Sequence, residues 1–153
     1  MAQQITDSRK IVAQNKQARH DFEIIEVMET GIVLTGTEIK AAREGKANIR
    51  DCYADIENGE MWLKGMIIGP YSHTGYAGHD ARRNRKLLLH RSEIRRLQRK
   101  IQEKGYTAVP LSLYLRRGLL KVELALARGR HQYDKRAVLK EKDLQMALKR
   151  GED

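Results

Sequence analysis

HDARRNRKLLLHRSEIRRLQRKIQEK, from His79 to Lys104, is the stretch around which this chain is organised. From Ala81 to Lys104, ten Lys or Arg residues stand against two Glu residues, so this segment carries most of the +10 formal charge of the chain. The segment Asp21 to Lys64, by contrast, has five basic and ten acidic residues. The positive charge is therefore a patch. A fixed array of cations suits a polyanion, because each contacted phosphate releases condensed counterions.

Three leucines in the middle of this stretch, Leu87 to Leu89, are bounded by charged residues. An apolar run of this kind predicts a buried anchor. The anchor would hold the patch in place while the cations before it reach outward to phosphates: Arg82, Arg83, Arg85 and Lys86. The alternative is a basic helix face that is simply solvated.

The second half of the stretch predicts a helix over Leu87 to Lys104. Leu89, Ile94, Leu97 and Ile101 form one apolar stripe, with arginines on the other face. Gly105 follows at the position where a helix commonly ends in the left-handed conformation.

Composition predicts one domain with a tail. The chain has 153 residues, of which 41% are hydrophobic and 33% charged, and this length suffices to bury a core. No apolar run approaches the roughly 20 residues of a membrane span. The first ten residues lack the apolar centre of a signal peptide. The single cysteine, Cys52, can form neither an internal disulfide nor a cysteine zinc cluster. We therefore expect a cytoplasmic protein.

Outside the basic stretch, the pattern is mainly β with short helices. Three hairpins are predicted. The first pairs Phe22–Met28 with Gly31–Leu34 across a turn at Glu29-Thr30, and the second pairs Cys52–Ile56 with Met61–Ile68 across a turn at Asn58-Gly59. The third pairs Tyr106–Leu115 with Leu119–Ala127 across a turn at Arg116-Arg117-Gly118. A short helix is predicted from Thr37, as its cap, to Glu44, and a single helical turn within Ile11 to His20. Successive hairpins of this kind are typical of an OB-like antiparallel β-barrel.

The domain boundaries follow from composition. Residues 1–10 are polar and expected to be flexible, residues 11–127 form the barrel, and residues 128–153 form a basic C-terminal tail. The tail has few apolar residues, so burial cannot offset the entropy of ordering it. Free in solution it should be disordered.

No motif for catalysis or metal binding occurs in the sequence. There is no HExxH motif, no Walker loop and no CxxC pair. Two His-Asp dipeptides, His20-Asp21 and His79-Asp80, are the nearest resemblance to an enzyme site, but both lie at expected turns or element starts. We therefore expect no catalytic residues, no metal and no cofactor.

Five motifs, in order and at their spacing, resemble those of the SmpB family, the SsrA-binding proteins of bacterial trans-translation. They are NKQARHDF (Asn15–Phe22), GTEIK (Gly36–Lys40), GKAN (Gly45–Asn48), RKLLL (Arg85–Leu89), and ARG (Ala127–Gly129) leading to YDKR (Tyr133–Arg136). Each motif alone is weak, but the series is specific. The resemblance extends from about Lys10 to Asp143.

The resemblance implies an OB-like barrel that binds the tRNA-like domain of tmRNA (SsrA RNA) as a monomer, away from any membrane. The pair would enter the vacant A site of a stalled ribosome, where the tail becomes helical in the small-subunit decoding centre and mRNA channel, leading to ribosome rescue and peptide tagging. By matching motifs, the implied RNA contacts are Lys16, Arg19, His20, Glu29, Lys46, Asn48, Arg85, Lys86 and Leu89. The implied ribosome contacts are Gly129, Tyr133, Asp134, Lys135 and Arg136.

Glu29 is the unexpected member of the RNA set, because a carboxylate repels phosphate. We expect it either to accept hydrogen bonds from base edges or to orient a neighbouring cation. Two positions depart from the family: Ala81 where many relatives have proline, and Tyr133 where some have histidine. Tyr133 cannot titrate as an imidazole does but could stack on ribosomal bases.

Two other functions stay open at this point. One is a generic OB-like RNA-binding or ribosome-associated protein without a tmRNA role; loss of stalled-ribosome rescue in a deletion strain would separate it from the first. The other is an RNA-processing enzyme, which metal-dependent cleavage of bound RNA would favour.

Overall fold

The computed structural model describes residues 9–73 and 80–129, and the predictions for residues 1–8, 74–79 and 130–153 lie outside it. The elements are β1 (Lys10–Gln14), α1 (Ala18–Asp21), β2 (Phe22–Ile32), α2 (Gly36–Arg43), β3 (Ala47–Asn48), β4 (Tyr53–Glu57), β5 (Glu60–Lys64), β6 (Ile67–Ile68), β7 (Arg85–Leu88), α3 (Arg91–Lys104), β8 (Thr107–Arg116) and β9 (Leu119–Gly129). Within the described ranges, no helix is long and apolar enough to cross a membrane.

Six strands close into an antiparallel barrel. The strands pair in the order β8, β4, β5, β7, β2 and β9, and β9 pairs again with β8. Strand β1 adds to β8, and β3 pairs with β6 in a separate two-stranded sheet. Closure is incomplete at two seams, because β7 pairs with only two residues of β2 and β8 pairs with only one residue of β4. The predicted antiparallel β-barrel is confirmed.

The barrel interior is filled by alternate residues of its strands. The buried set includes Leu63, Leu87, Leu113, Val122, Leu124 and Leu126, and α3 contributes Ile94 and Leu97 from its apolar stripe. Full burial of one such side chain stabilises the fold by roughly 1.5–3 kcal/mol. Helix α3 is therefore held to the barrel by its apolar face, which leaves its arginine-rich side toward solvent.

A second apolar cluster lies outside the barrel wall and fixes α1. Ala18 of α1 packs on outward-facing residues of β8 and β9, with two side chains of β2 beside it: Val109, Leu111, Ala125, Ala127, Phe22 and Ile24. A four-residue helix has almost no stability of its own. The packing of Ala18 therefore determines where the exposed side of α1 lies.

Two local predictions in the first half of the chain are wrong. β2 runs unbroken through Glu29 and Thr30, where a turn was expected, because β9 pairs with it from Phe22↔Gly129 to Gly31↔Lys121. Helix α2 is capped by Thr35, two residues before the expected Thr37. The Thr35 hydroxyl accepts from the Glu38 N–H at 3.3 Å, and the Glu38 carboxylate accepts from the Thr35 N–H at 2.8 Å.

The basic stretch also divides differently from the prediction. Arg85 to Leu88 is strand β7, so the helix begins only at Arg91. Because side chains of a strand alternate, Leu87 is buried and Leu88 is 52% exposed, and the three leucines are not one buried anchor. Gly105 ends α3 in the left-handed conformation as predicted, at φ 69°.

Two of the three predicted hairpins are confirmed, although the predicted strand Met61–Ile68 ends at Lys64 and its last two residues form β6, which pairs with β3. Asn58-Gly59 joins β4 and β5, and Arg117-Gly118 joins β8 and β9, with positive φ at all four residues. Strand β1 begins at Lys10, one residue before the predicted start of the barrel, and β9 continues through Gly129, two residues past its predicted end. Gly129 pairs with Phe22 in the sheet and is the last residue of β9, and the predicted ribosome contact at Gly129 stays a prediction.

Candidate nucleic-acid interface

Three of the predicted RNA contacts meet at one edge of the barrel. Lys16 lines two adjoining grooves of about 270 Å³ each. One groove contains Asn48 and Arg50, and the other contains Arg19 and Arg9. The Lys16 and Arg19 side chains are exposed, as is that of His20 on α1. We call this surface, made of Arg9, Lys16, Arg19, Asn48 and Arg50, the cationic edge.

Sequence reasoning missed Arg9 and Arg50 at this edge. Asn48 holds the backbone at Arg50, because the Asn48 Oδ1 accepts a hydrogen bond from the Arg50 backbone N–H at 2.9 Å. An asparagine that folds back on the chain two residues later marks a turn, and the turn aims the next cation. Arg9 has no comparable sequence feature. Its guanidinium lies 4.5 Å from the centre of the Tyr114 ring and 3.0 Å from Glu123.

Lys46 precedes β3 and is tied to the neighbouring loop. Its Nζ donates to the carbonyl of Pro70 at 2.9 Å and lies 3.3 Å from Glu44. Glu44 in turn accepts from the hydroxyl of Ser72 at 2.6 Å, and this bond is the main reason why the pKa of Glu44 is lowered. Lys46 is exposed, so its charge remains available to a phosphate.

Arg85 does not lie on the surface, and the prediction that it reaches outward is wrong. Its guanidinium is fully buried, and it donates to Glu38 Oε2 from Nε at 2.8 Å and from Nη2 at 2.6 Å. It also donates to the carbonyls of Met66, Ala81 and Asp80, at 2.8, 3.3 and 3.2 Å. All of its donor groups thus point into the protein. Arg85 connects the start of α2 to the chain segment that enters β7.

The two arginines before β7 differ from Arg85 and from each other. Arg83 is only partly exposed, and its Nη2 donates to Glu38 Oε1 at 2.5 Å. The side chain of Arg82 is exposed, and its backbone N–H donates to Asp80 Oδ1 at 3.0 Å. Of this trio, Arg82 alone presents a side chain that is mainly in solvent.

Glu38 is the buried acceptor that makes this arrangement possible. Burial opposes its ionisation, but hydrogen bonds from Arg83, the Thr35 backbone and Arg85 outweigh burial and hold the pKa of Glu38 at about 2. The carboxylate is therefore charged at neutral pH and compensates the buried Arg85. A buried charge without such a partner would cost several kcal/mol.

Lys86 and Leu89 lie in a different cleft. This cleft, of about 810 Å³, lies between the β4–β5 turn, β7 and α3, and also contains Leu88, Arg91 and Arg95. Lys86 forms an ion pair with Glu60 at its rim. No residue lines both this cleft and the grooves of the cationic edge. Lys86 and Leu89 therefore lie on a surface separate from that of Lys16, Arg19 and Asn48.

Glu29 lies on the outer wall of the barrel among cations. It accepts a hydrogen bond from the Tyr114 hydroxyl and another from Arg116 Nη1 at 2.9 Å. Burial opposes ionisation here, but these two donors outweigh burial, so the pKa of Glu29 is lowered. Of the two roles expected for Glu29, orienting a neighbouring cation matches these contacts. The predicted contact with RNA bases stays a prediction.

Within residues 9–73 and 80–129, no three His, Cys, Asp or Glu side chains are grouped so that they could hold a metal ion. Cys52 is buried, and burial raises its pKa to about 12, so the thiol is protonated at neutral pH. Tyr133, Asp134, Lys135 and Arg136 lie outside the described residues.

Comparisons with known proteins by sequence and by structure identify similar proteins of one kind. A family model described as SmpB protein matches residues 12–152. The SsrA-binding protein of Halothermothrix orenii is 51% identical over 145 residues, which cover 95% of this chain and 94% of the relative. That of Trichodesmium erythraeum is 47% identical over 152 residues, covering 99% and 97%. A solved chain described under "tmRNA-SmpB: a journey to the center of the bacterial ribosome" matches with a TM-score of 0.63 and 50% identity, over 76% of this chain and 82% of that one.

Proposed function

The chain belongs to the SmpB protein family, and from this premise we propose that it binds tmRNA, the SsrA RNA, and acts with it in the rescue of stalled bacterial ribosomes. The observation that carries the proposal is the family match along almost the whole chain. The relatives carry the name SsrA-binding protein, and the matched solved chain comes from work on tmRNA and the ribosome. Such a factor works in the cytoplasm, and binding and delivery require no catalytic step.

In this proposal the two parts of the chain divide the task. The barrel binds the tRNA-like domain of tmRNA, and residues from 130 onward enter the decoding centre and mRNA channel of the small subunit. The barrel is suited to its part because its exposed cations stand on elements fixed by packing, as α1 is by Ala18. A backbone that is already ordered loses little further freedom on binding, so only the side chains of these cations have to be ordered.

The cationic edge is the surface that we assign to RNA phosphates. Lys16, Arg19 and Arg50 are exposed there and line grooves that share residues. The separate cleft with Lys86 and Leu89 offers a second surface, where cations stand beside an exposed leucine, Leu88. The exposed residues of both surfaces remain candidates for direct contact, whereas Arg85 acts through the fold.

The identity of the RNA partner is tested by capture. The full chain, tagged and expressed in a bacterium, should retain SsrA RNA as the main specifically bound RNA after washing at moderate salt. In a strain that lacks the family member, expression of this chain should restore peptide tagging on stalled ribosomes. Enrichment of other RNAs without SsrA RNA, or no restored tagging, would contradict the proposal.

The phosphate contacts are tested by salt dependence. The logarithm of the affinity for the tRNA-like domain should fall linearly with the logarithm of the salt concentration, and Lys16→Ala should flatten that slope by roughly 0.7–0.9. Lys104→Ala removes an exposed cation at the end of α3, outside both surfaces, and should leave the slope unchanged. An unchanged slope in Lys16→Ala would remove Lys16 from the interface.

A further inference from the structure

A third groove adjoins the cationic edge and has a different chemistry. It has a volume of about 380 Å³ and is lined by Asn15, Gln17, Asp21, Asp51, Tyr53 and Thr107, among others. Asn15 and Gln17 also line the groove that contains Lys16 and Arg50. The two grooves are therefore neighbours with a common wall, and a strand of RNA that follows the cations also passes the mouth of this groove.

Tyr53 gives the groove an exposed aromatic ring. It is the first residue of β4 and is 47% exposed, although tyrosine is among the residues that stabilise a fold when they are buried. Beside a row of cations, an exposed aromatic ring serves as a platform on which a base can stack. An apolar or aromatic ligand without phosphates would not need the adjoining cations.

Asp51 gives the groove a free acceptor. Asp21 accepts from the side-chain amide of Gln17 at 3.2 Å, whereas the Asp51 carboxylate has no hydrogen-bond or ion-pair partner within residues 9–73 and 80–129. An ionised carboxylate only accepts hydrogen bonds, so it repels phosphate and binds N–H groups. Guanine is the base that presents two N–H donors side by side, N1–H and the N2 amino group.

The chain fixes the positions of both groups relative to the cations. Arg50 and Asp51 are consecutive residues of one turn, in which Asn48 accepts from the Arg50 N–H. The turn lies against Gly65, where an added Cβ would come within 3.1 Å of the Asp51 carbonyl oxygen. Arg50 thus lines the groove of the cationic edge while Asp51 lines the third groove.

We propose that this third groove holds one unpaired guanine of the RNA partner. Its ring stacks on Tyr53, its N1–H and N2 amino groups donate to the Asp51 carboxylate, and the adjacent phosphates lie along Arg50 and Lys16. This inference rests on the proposed function, because it assumes that the partner bound at the cationic edge is RNA. It adds the reading of one base to an interface otherwise made of phosphate contacts.

The test uses the full chain and the tRNA-like domain of tmRNA, synthesised with inosine in place of one unpaired guanine at a time. Inosine lacks only the N2 amino group. A hydrogen bond to a charged group is worth about 1.5–3 kcal/mol, so at one position inosine should weaken binding by roughly tenfold or more. Asp51→Asn should remove most of this difference, since an amide cannot accept two donors in the same way. Asparagine tolerates the positive φ of 62° at this position, so the turn is retained.

Matched controls separate base reading from general effects. Asp55→Asn changes a carboxylate of β4 that accepts a hydrogen bond from Lys64 at 3.0 Å and lies outside the groove, and it should keep the inosine penalty. Tyr53→Ser should weaken binding of all the RNAs by a similar factor without changing the salt slope. Tyr53→Phe keeps the aromatic ring and should leave the affinity unchanged.

The outcomes are distinct. If the unmodified RNA binds but no position shows an inosine penalty, or Asp55→Asn removes the penalty as Asp51→Asn does, the guanine site is refuted while the proposed function stands. If the unmodified RNA does not bind, the proposed function itself fails.

Discussion

Arg85→Met tests whether Arg85 acts within the protein and not as an RNA contact. Methionine keeps an unbranched chain as far as the position of Nε but removes every donor that Arg85 directs at Glu38 and at the carbonyls of Met66, Ala81 and Asp80. Glu38, which has no exposed surface, then keeps Arg83 and the Thr35 N–H as partners. Removing one partner of a buried ion pair costs about 3–5 kcal/mol. Domains of this size are stable by only about 5–15 kcal/mol, so the loss should be large.

The measurement is urea unfolding followed by the fluorescence of Trp62, the single tryptophan of the chain. Arg95→Met is the matched control, because Arg95 is an exposed arginine of the same basic stretch, and the free energy of unfolding should change by no more than about 0.5 kcal/mol. Adding Glu38→Gln to Arg85→Met should recover part of the loss, because it removes the charge left with fewer partners. A loss below about 1 kcal/mol for Arg85→Met would refute the reasoning.

The same ion pair predicts a dependence of stability on pH. The folded-state pKa of Glu38 is about 2, below the ordinary value of 4.5, so the native state favours the ionised form. This contribution, about 3 kcal/mol from the difference of the two pKa values, is fully present above pH 4.5 and is lost as the pH falls through about 2. Glu38→Gln should abolish this part of the acid sensitivity while also lowering stability at neutral pH. An acid unfolding profile of Glu38→Gln parallel to that of the parent would contradict the assignment.

Three further predictions follow from single features. Thr30 is buried in β2, and its hydroxyl has no hydrogen-bond partner among the described residues. In urea titrations, Thr30→Val should therefore raise the free energy of unfolding by about 1 kcal/mol. A free energy of unfolding below that of the parent would show that the hydroxyl is satisfied. Glu29→Ala should weaken binding of the tRNA-like domain more than Glu29→Gln, because glutamine can still accept from Tyr114 and Arg116; equal, parental affinities would exclude a role. Truncation after Gly129 leaves β9 intact, so the affinity for tmRNA should stay near the parental level while peptide tagging is abolished. Persistent tagging would contradict the division of tasks between barrel and tail.

Features that depend on few neighbouring residues were predictable from the sequence. Asn58-Gly59 and Gly105 adopt positive φ in the structure, because asparagine and glycine enter that region at little steric cost. The charge imbalance between Ala81–Lys104 and Asp21–Lys64 indicates a polyanion partner without reference to the fold. The series of five motifs indicated the family, and the family match confirms it.

Strand continuity was not predictable in the same way. The spacing of two apolar runs around Glu29-Thr30, with Gly31 after them, favours a turn locally, yet β2 passes through these residues because β9 supplies a partner for each position. That partner comes from the far end of the chain. Its hydrogen bonds exist only once the barrel closes, and they outweigh the local preference.

The cations, the hairpin turns and the family membership follow from the sequence, whereas the fold selects which of the cations face the solvent. Arg82 and Arg85 stand in one basic run and look equivalent in the sequence. The alternation of β7 directs Arg85 inward, and Glu38, 47 positions away, meets it there. Because a charge can be buried only where a partner compensates it, the position of Glu38 in the fold makes Arg85 a structural residue and leaves Arg82 on the surface.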